Sequence, residues 1–294
     1  MIKSKGTYQF SKDGGKTWLK VPNMLVKGYY NTQERSDLYI GIGSNGNEPT
    51  FSNTTLPAVL QTYNSDGLEV INFETTTNEF LIHNSQTFNF GTGHSFTARD
   101  IGMSIGSSRN ALASRSLFKD SDGNPIDIEI IPDDVISVKY TLTYILPRAP
   151  TPVTVNFNGM DVTGTLRICN PNKWGNRAVG LPVSVQGFGV ASEGTWSINE
   201  SGFQTSTSSG IQNHSVRTSR EFTNSKRTYR YYQNLGVDNF NHTFQQIAFS
   251  SGSFSGNNIV VLIDLDVPIT NTPDDEFTVG INIIQEYIND SQQS

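Results

Sequence analysis

The stretch with the most recognisable chemical grammar is SKDGGKTW, residues 11–18. Its Ser-x-Asp-x-Gly-x-Thr-Trp spacing is the Asp-box pattern, and the chemistry it raises is glycoside hydrolysis. That chemistry would also need several such boxes, a cluster of arginines for a substrate carboxylate and a Tyr/Glu nucleophile pair. A single box is present, at the extreme N-terminus. Its local grammar is complete without a substrate. Asp13 can bond the backbone two residues on, Gly14 and Gly15 accept positive φ, and Trp18 can fold back over the turn. The motif therefore reads as a structural hairpin, and no catalytic residue is assigned.

Other chemistry-bearing residues are sparse. His83, His94, His214 and His242 stand in no metal-ligand spacing, and the single cysteine, Cys169, has no partner for a disulfide and no histidine nearby in sequence. It reads as a small buried hydrophobe. No G-x-S-x-G elbow or Walker loop occurs. GIGSNG (41–46) is glycine-rich, but no helix follows to hold a phosphate, so it reads as a turn. DSDGNPID (120–127) places Asp120, Asp122, Asn124 and Asp127 at a spacing that partly matches a calcium loop. The late bidentate acid is missing, and the same residues make a tight hairpin turn. No metal and no cofactor are expected. RTSREFTNSKRTYRYY (217–232) is the one basic, aromatic-rich stretch and reads as an exposed strand pair or a subunit interface.

The elements that must position these residues are strands. VISVKYTLTYIL (135–146) puts Val138, Tyr140, Leu142 and Tyr144 on one face. PVTVNF (152–157), LPVSVQGFGV (181–190), IVVLIDLDV (259–267) and FTVGINIIQEY (277–287) follow the same period and β-branched content. Turn clusters such as GSNGNEP, DSDGNP and NTPDD separate them. Two short helices are the only exceptions expected, of two turns at TLPAVLQTY (55–63) and one at SRNALASRS (108–116). The fold class is all-β: two tandem antiparallel β-sandwich domains, jelly-roll or Ig-like, behind an N-terminal hairpin arm. LPRAPTP (146–152) carries three prolines and reads as an extended linker. The expected boundaries are an arm over 1–29, a first sandwich over 30–147 and a second over 151–294. The two halves also end alike. Each has a His-Ser/Thr-Phe segment, an Ile-Asp-aliphatic-acid strand, a Pro-Asp-Asp turn and a last alternating strand, as a divergent duplication would produce.

Composition narrows the function classes. The chain has 294 residues and a net charge of −6, which argues against broad binding to nucleic acid or anionic membranes. Charged residues are 16%, against roughly 25% in an average soluble protein. The polar surface is instead Ser, Thr, Asn, Gln and Gly, which suits extracellular β-proteins and particle subunits that pack on copies of themselves. The first ten residues have no apolar signal-peptide core, and no apolar run approaches a membrane span.

One part of the chain resembles a known module. LYIGIGSNGNEPTFSNTTLPA (38–58), ARDIGMSIG (98–106) and LASRSLFKDSDGNPIDIEIIPDDVISVKYTLTY (112–144) resemble, in order and spacing, a β-sandwich module of tailed-phage virion proteins. The resemblance rests on the glycine turn after the first strand and on Asp100-Ile101-Gly102-Met103 at an E-I-G-L motif. It continues through Arg115, Leu117 and Phe118 at an R-x-L-F strand, an acidic-glycine hairpin and a final V-x-Y-T-L strand. Asp100 departs from the usual Glu. The resemblance implies a structural part of a phage particle, in the tail, neck, collar or baseplate or at a fibre attachment, and implies no enzyme. It implies other virion proteins as partners, a homo-oligomer with the symmetry of the tail axis, and location in the virion after assembly in the bacterial cytoplasm. Nucleic acid and membrane are not expected partners.

Two sets of residues follow from this reading. If the arm reaches a neighbouring subunit, Tyr8, Phe10, Trp18, Tyr29 and Tyr30 are its anchors, because aromatics dominate interface energetics. The other outcome is that they pack on the first module of their own chain. If the protein is instead a receptor- or glycan-binding module, Trp174, Trp196, Tyr229, Tyr231 and Tyr232 are the candidates for stacking on sugars.

Overall fold

The structure is a computed structural model. It describes residues 2–26, 38–56, 58–64, 69–105, 112–157, 159–169, 187–194, 196–198, 204–206, 211–213, 217–223, 226–235, 242–250, 259–271 and 277–288. Every regular element in these residues is a β-strand, arranged in several mainly antiparallel sheets.

The first strand, β1 (Ile2–Ser11), lies in the middle of the largest sheet. Along one edge it pairs antiparallel with β12 (Ile136–Pro147), Tyr8 opposite Tyr140 and Phe10 opposite Val138. Its other edge is divided between two strands. β2 (Leu19–Pro22) covers Thr7–Phe10 and β23 (Phe277–Tyr287) runs parallel to Ile2–Ser4. Beyond β12 the sheet continues through β7 (Glu79–Gly91) to β6 (Glu69–Thr75). Beyond β23 it continues through β20 (Lys226–Leu235) to β19 (Arg217–Thr223).

A second sheet runs in the order β3 (Met24–Leu25), β10 (Leu112–Leu117), β9 (Asp100–Ile105), β4 (Leu38–Gly43) and β5 (Ala58–Asn64). It packs on the inner face of the first sheet in a sandwich-like way. The Tyr8 hydroxyl bonds that of Ser114 in β10. Phe10 meets Phe118 edge-on at 4.9 Å, and Tyr8 lies 4.9 Å from Tyr140. Ile40, Ile42, Ile101, Tyr8 and Tyr140 are wholly buried between the sheets. Two short strands, β8 (Phe96–Ala98) and β11 (Ile128–Ile130), form a separate pair at one end.

The chain after Pro147 builds a third sheet. Its order is β13 (Thr151–Phe157), β14 (Met160–Ile168), β22 (Ile259–Asn271), β21 (His242–Ser250), β15 (Gly187–Ala191) and β18 (Ile211–Asn213). β16 (Trp196–Ile198) and β17 (Gln204–Ser206) pair beside it.

Three expectations need correction. The segments 55–63 and 108–116 are not helical where described: they supply β5 and β10, whose backbones pair with β4 and β9. Ala and Leu favour helix locally, but each strand fills a position in a sheet with a buried face, and that tertiary pairing outweighs propensity. The N-terminal residues are not an appendage, because β1 is flanked on both edges by strands of its own chain. The proline-rich link is short and tethered. Arg148 donates its backbone N–H to Asn78 and a guanidinium N–H to the carbonyl of Thr76, at 2.9 and 2.8 Å. The strands of the largest sheet come from both sides of this link.

Candidate functional site

The Asp-box segment forms a turn, with Asp13 bonded to the backbone three and four residues on and not two. The Asp13 carboxylate accepts N–H bonds from Lys16 and Thr17, both at 2.9 Å, and the hydroxyls of Ser11 and Thr17. These donors, the Thr17 hydroxyl foremost, hold its carboxyl well below the usual range. Gly14 and Gly15 have φ of 70° and 90°. A side chain on Gly15 would lie 2.9 Å from the Trp18 ring, so the indole does cover the turn. The tip docks on the loop before β12: Gly14 donates to the Val135 carbonyl at 2.8 Å, Val135 donates to Lys12, and Lys12 pairs with Asp134 at 2.9 Å. Every polar group of the motif described here serves the turn or its docking.

Asp100 and Arg115 meet the loop after β4 in a buried polar frame. Asp100, wholly buried, pairs with the Arg115 guanidinium at 2.9 Å. Asp100 also accepts the Asn45 N–H, while Arg115 donates to the carbonyls of Asn45 and Asn47 and to the Asn53 side chain. The loop after β4 is thereby fastened to β9 and β10. Gly41 and Gly102 stand opposite each other between β4 and β9. A Cβ on Gly41 would lie 2.7 Å from Ala58, and one on Gly102 would lie 2.9 Å from Leu56. Glycine is needed there for space.

The acidic hairpin at 120–127 is also a turn. Asp120 accepts the N–H groups of Asp122 and Asn124 at 2.9 and 2.8 Å, Gly123 has φ of 84°, and Asp127 pairs with Arg99 at 2.9 Å. The hydrogen-bond donors of Asn124, Asp122 and Gly123 hold Asp120 low, and the Arg99 guanidinium does the same for Asp127. His83 bonds Thr143 and His94 bonds the Phe90 carbonyl. Burial pushes the Cys169 thiol up to about 12, far from a nucleophile's range.

Among the described residues, the proposed anchors and stacking residues belong to different elements. Tyr8 and Phe10 are in the core of their own chain, and the physical reason is pairing: β1 alternates, and its large residues face the second sheet. They are not available to a partner in this fold. Trp18 is half-buried over its turn. Tyr29, Tyr30 and Trp174 lie outside the described residues. Tyr229, Tyr231 and Tyr232 stand in β20, opposite Ile283, Ile281 and Gly280 of β23. Trp196 belongs to β16, beside a different sheet.

Trp196 does line a cleft of about 430 Å³, with Arg167, Glu193, Gln245, Gln246 and Asp264. Gln246 organises it. Its side chain is buried, accepts the Trp196 N–H at 2.8 Å, and donates to the Trp196 carbonyl at 2.7 Å and to Asp264 at 2.6 Å. Asp264 also pairs with Arg167 at 3.3 Å. Trp196 is 3% exposed, so it offers no open stacking face. Such a cleft can hydrogen-bond a small polar ligand, and its cation Arg167 is engaged with Asp264. Arg167, Gln246 and Asp264 belong to no sequence motif. Their only sequence signal was the pair of acids Asp264 and Asp266 in the mostly apolar stretch IVVLIDLDV. Comparison with family models, curated proteins and solved structures finds no match to this chain.

Proposed function

We propose that this chain is a structural component of a tailed-phage virion, in the tail, neck or collar, baseplate or fibre attachment. It acts by self-association and by docking to other virion proteins, and performs no enzymatic step. One observation supports the reading most. Two of the residues that carry the resemblance, Asp100 and Arg115, are joined with the backbone of the loop after β4 in a buried frame that fastens this loop to β9 and β10. The resemblance thus includes the residues that build this framework. In this reading the chain is two sandwich modules in tandem that share the largest sheet, and its partners are virion proteins, with neither nucleic acid nor membrane among them. Mass spectrometry and immunogold labelling of gradient-purified particles from the source host test it. Stoichiometric incorporation is expected. Recovery of the chain only in the particle-free fraction would overturn the reading.

A glycan-binding module is the second reading, favoured by the cleft that Trp196 and Gln246 build. Nuclear magnetic resonance titration with a saccharide panel tests it. Saturable shifts confined to β16, β21 and β22 would support it, and no shift with any saccharide would end it.

A further inference from the structure

Strands β2, β1 and β12 of the largest sheet are charged in a way the overall composition does not foretell, and acids of the same face, Glu69, Glu74 and Glu79, stand farther out on β6 and β7. The chain has 27 acids against 21 Lys and Arg, yet β1, β2 and β12 contain no Asp or Glu. The strand register sets Lys20, Gln9 and Lys139 side by side, and Lys5 beside Thr143. Side chains alternate along a strand, so Lys3, Lys5 and Gln9 share the face opposite Tyr8 and Phe10. Lys3 and Lys20 are exposed, and Lys5 and Lys139 are half-buried. Among the described residues, none of Lys5, Lys20 and Lys139 makes an ion pair. Lys3 stands opposite Glu286, which Lys226 already holds at 3.3 Å.

The complement lies on the same chain. Residues 120–134 include six acids and no Lys or Arg. Asp127 and Asp134 are paired with Arg99 and Lys12, while Asp120, Asp122, Glu129 and Asp133 are exposed. Among these acids Ile131 and Val135 are 45% and 43% exposed. The cationic face has its own aliphatics, Ile145 opposite Lys3 and Leu81 beside it, both half-buried.

We propose that the β2–β1–β12 face docks the acidic 120–135 lobe of a second copy of this chain. Face and lobe are different surfaces, so the contact is head-to-tail and propagates into a ring or a row. Opposite charges steer it and like charges suppress the face-to-face and lobe-to-lobe alternatives. A single occupant then covers both charged surfaces and both exposed aliphatics. A polyanion such as nucleic acid would cover only the face and would meet a chain of net charge −6. The contact rests on the self-association reading above and names its two surfaces.

The test is made on the purified full chain by analytical ultracentrifugation at low and high salt. Wild type is expected to self-associate at low salt and to weaken as salt screens the contact. A face variant, Lys5→Glu with Lys20→Glu and Lys139→Glu, and a lobe variant, Asp122→Lys with Glu129→Lys and Asp133→Lys, should each lose at least roughly tenfold in association. Their circular dichroism should be unchanged, since all six positions are exposed or half-buried. Mixing the two variants should restore association, because the reversed face of one then fits the reversed lobe of the other. A wild type that stays monomeric at low salt, association indifferent to both variants, or a mixture that stays dissociated would each overturn the proposal. So would saturable binding of a DNA duplex to the face in place of self-association. Incorporation into particles is a separate measurement, so a failed contact and a failed virion assignment are told apart.

Discussion

Replacing Arg115 by Met should cost far more than the surface of the residue suggests, and the cost should depend on pH. The Asp100 and Arg115 side chains are 0% and 3% exposed. Burial already pushes the Asp100 carboxyl upward in spite of the Arg115 guanidinium beside it. Without Arg115 the described partner left to the carboxylate is the Asn45 N–H, and three acceptors, Asn45, Asn47 and the Asn53 side chain, lose their donor. Breaking one side of a buried pair costs about 3–5 kcal/mol. In the variant, the folded-state pKa of Asp100 lies above its unfolded value of about 3.9. Below that value both states are protonated and the carboxylate part of the cost vanishes. The cost grows as pH rises toward the raised folded value, so the variant should be closest to wild type in acid. Hydrogen exchange of the β9 and β10 amides, at neutral and acidic pH, reads the local opening free energy without assuming that the whole chain unfolds in one step. Adding Asp100→Leu should recover part of the loss through a coupling of ~1–3 kcal/mol. A loss under about 1 kcal/mol in Arg115→Met, or one independent of pH, would refute the claim that this pair is a desolvated frame.

Asp13→Ala should lower the thermal midpoint by loosening the hairpin from Val135, with no loss of any glycoside-hydrolysing activity. The Asp13 pKa is depressed, so its contribution is present above the ordinary carboxylate range and is lost only in strong acid. A melting curve at neutral pH and one in strong acid check both points. Deleting residues 1–29 should abolish cooperative folding of the 30–147 part, because β1 carries Tyr8 and Phe10 into its core. A folded, monodisperse truncation seen by circular dichroism and light scattering would contradict this. Gly164→Ala should weaken the β14–β22 pairing by ~1–3 kcal/mol. Its Cβ would lie 2.5 Å from the Asp264 carbonyl, and backbone cannot step aside. Denaturant titration checks the size, and a neutral substitution would mean that the strands can part locally.

What could be read directly from the residues is what depends on near neighbours in the chain. Alternation in VISVKYTLTYIL specified β12 and its buried face, because period two is a property of a single strand. SKDGGKTW specified its own turn, since Asp13 and its donors lie within six residues of one another. Even the segregation of Lys3, Lys5, Lys20 and Lys139 from acids is present in the letters of β1, β2 and β12. Decisions involving distant pairing were not legible there. Leu and Ala at 55–63 and 108–116 favour helix until β4 and β9 offer them a sheet edge. Tyr8 and Phe10 look like an arm's anchors until β12, more than a hundred residues later, supplies the strand that turns them inward. Asp100 and Arg115 are ordinary surface types by composition. Only the closing of two sheets over them makes a buried ion pair, because desolvation is a property of the surroundings and not of the residue.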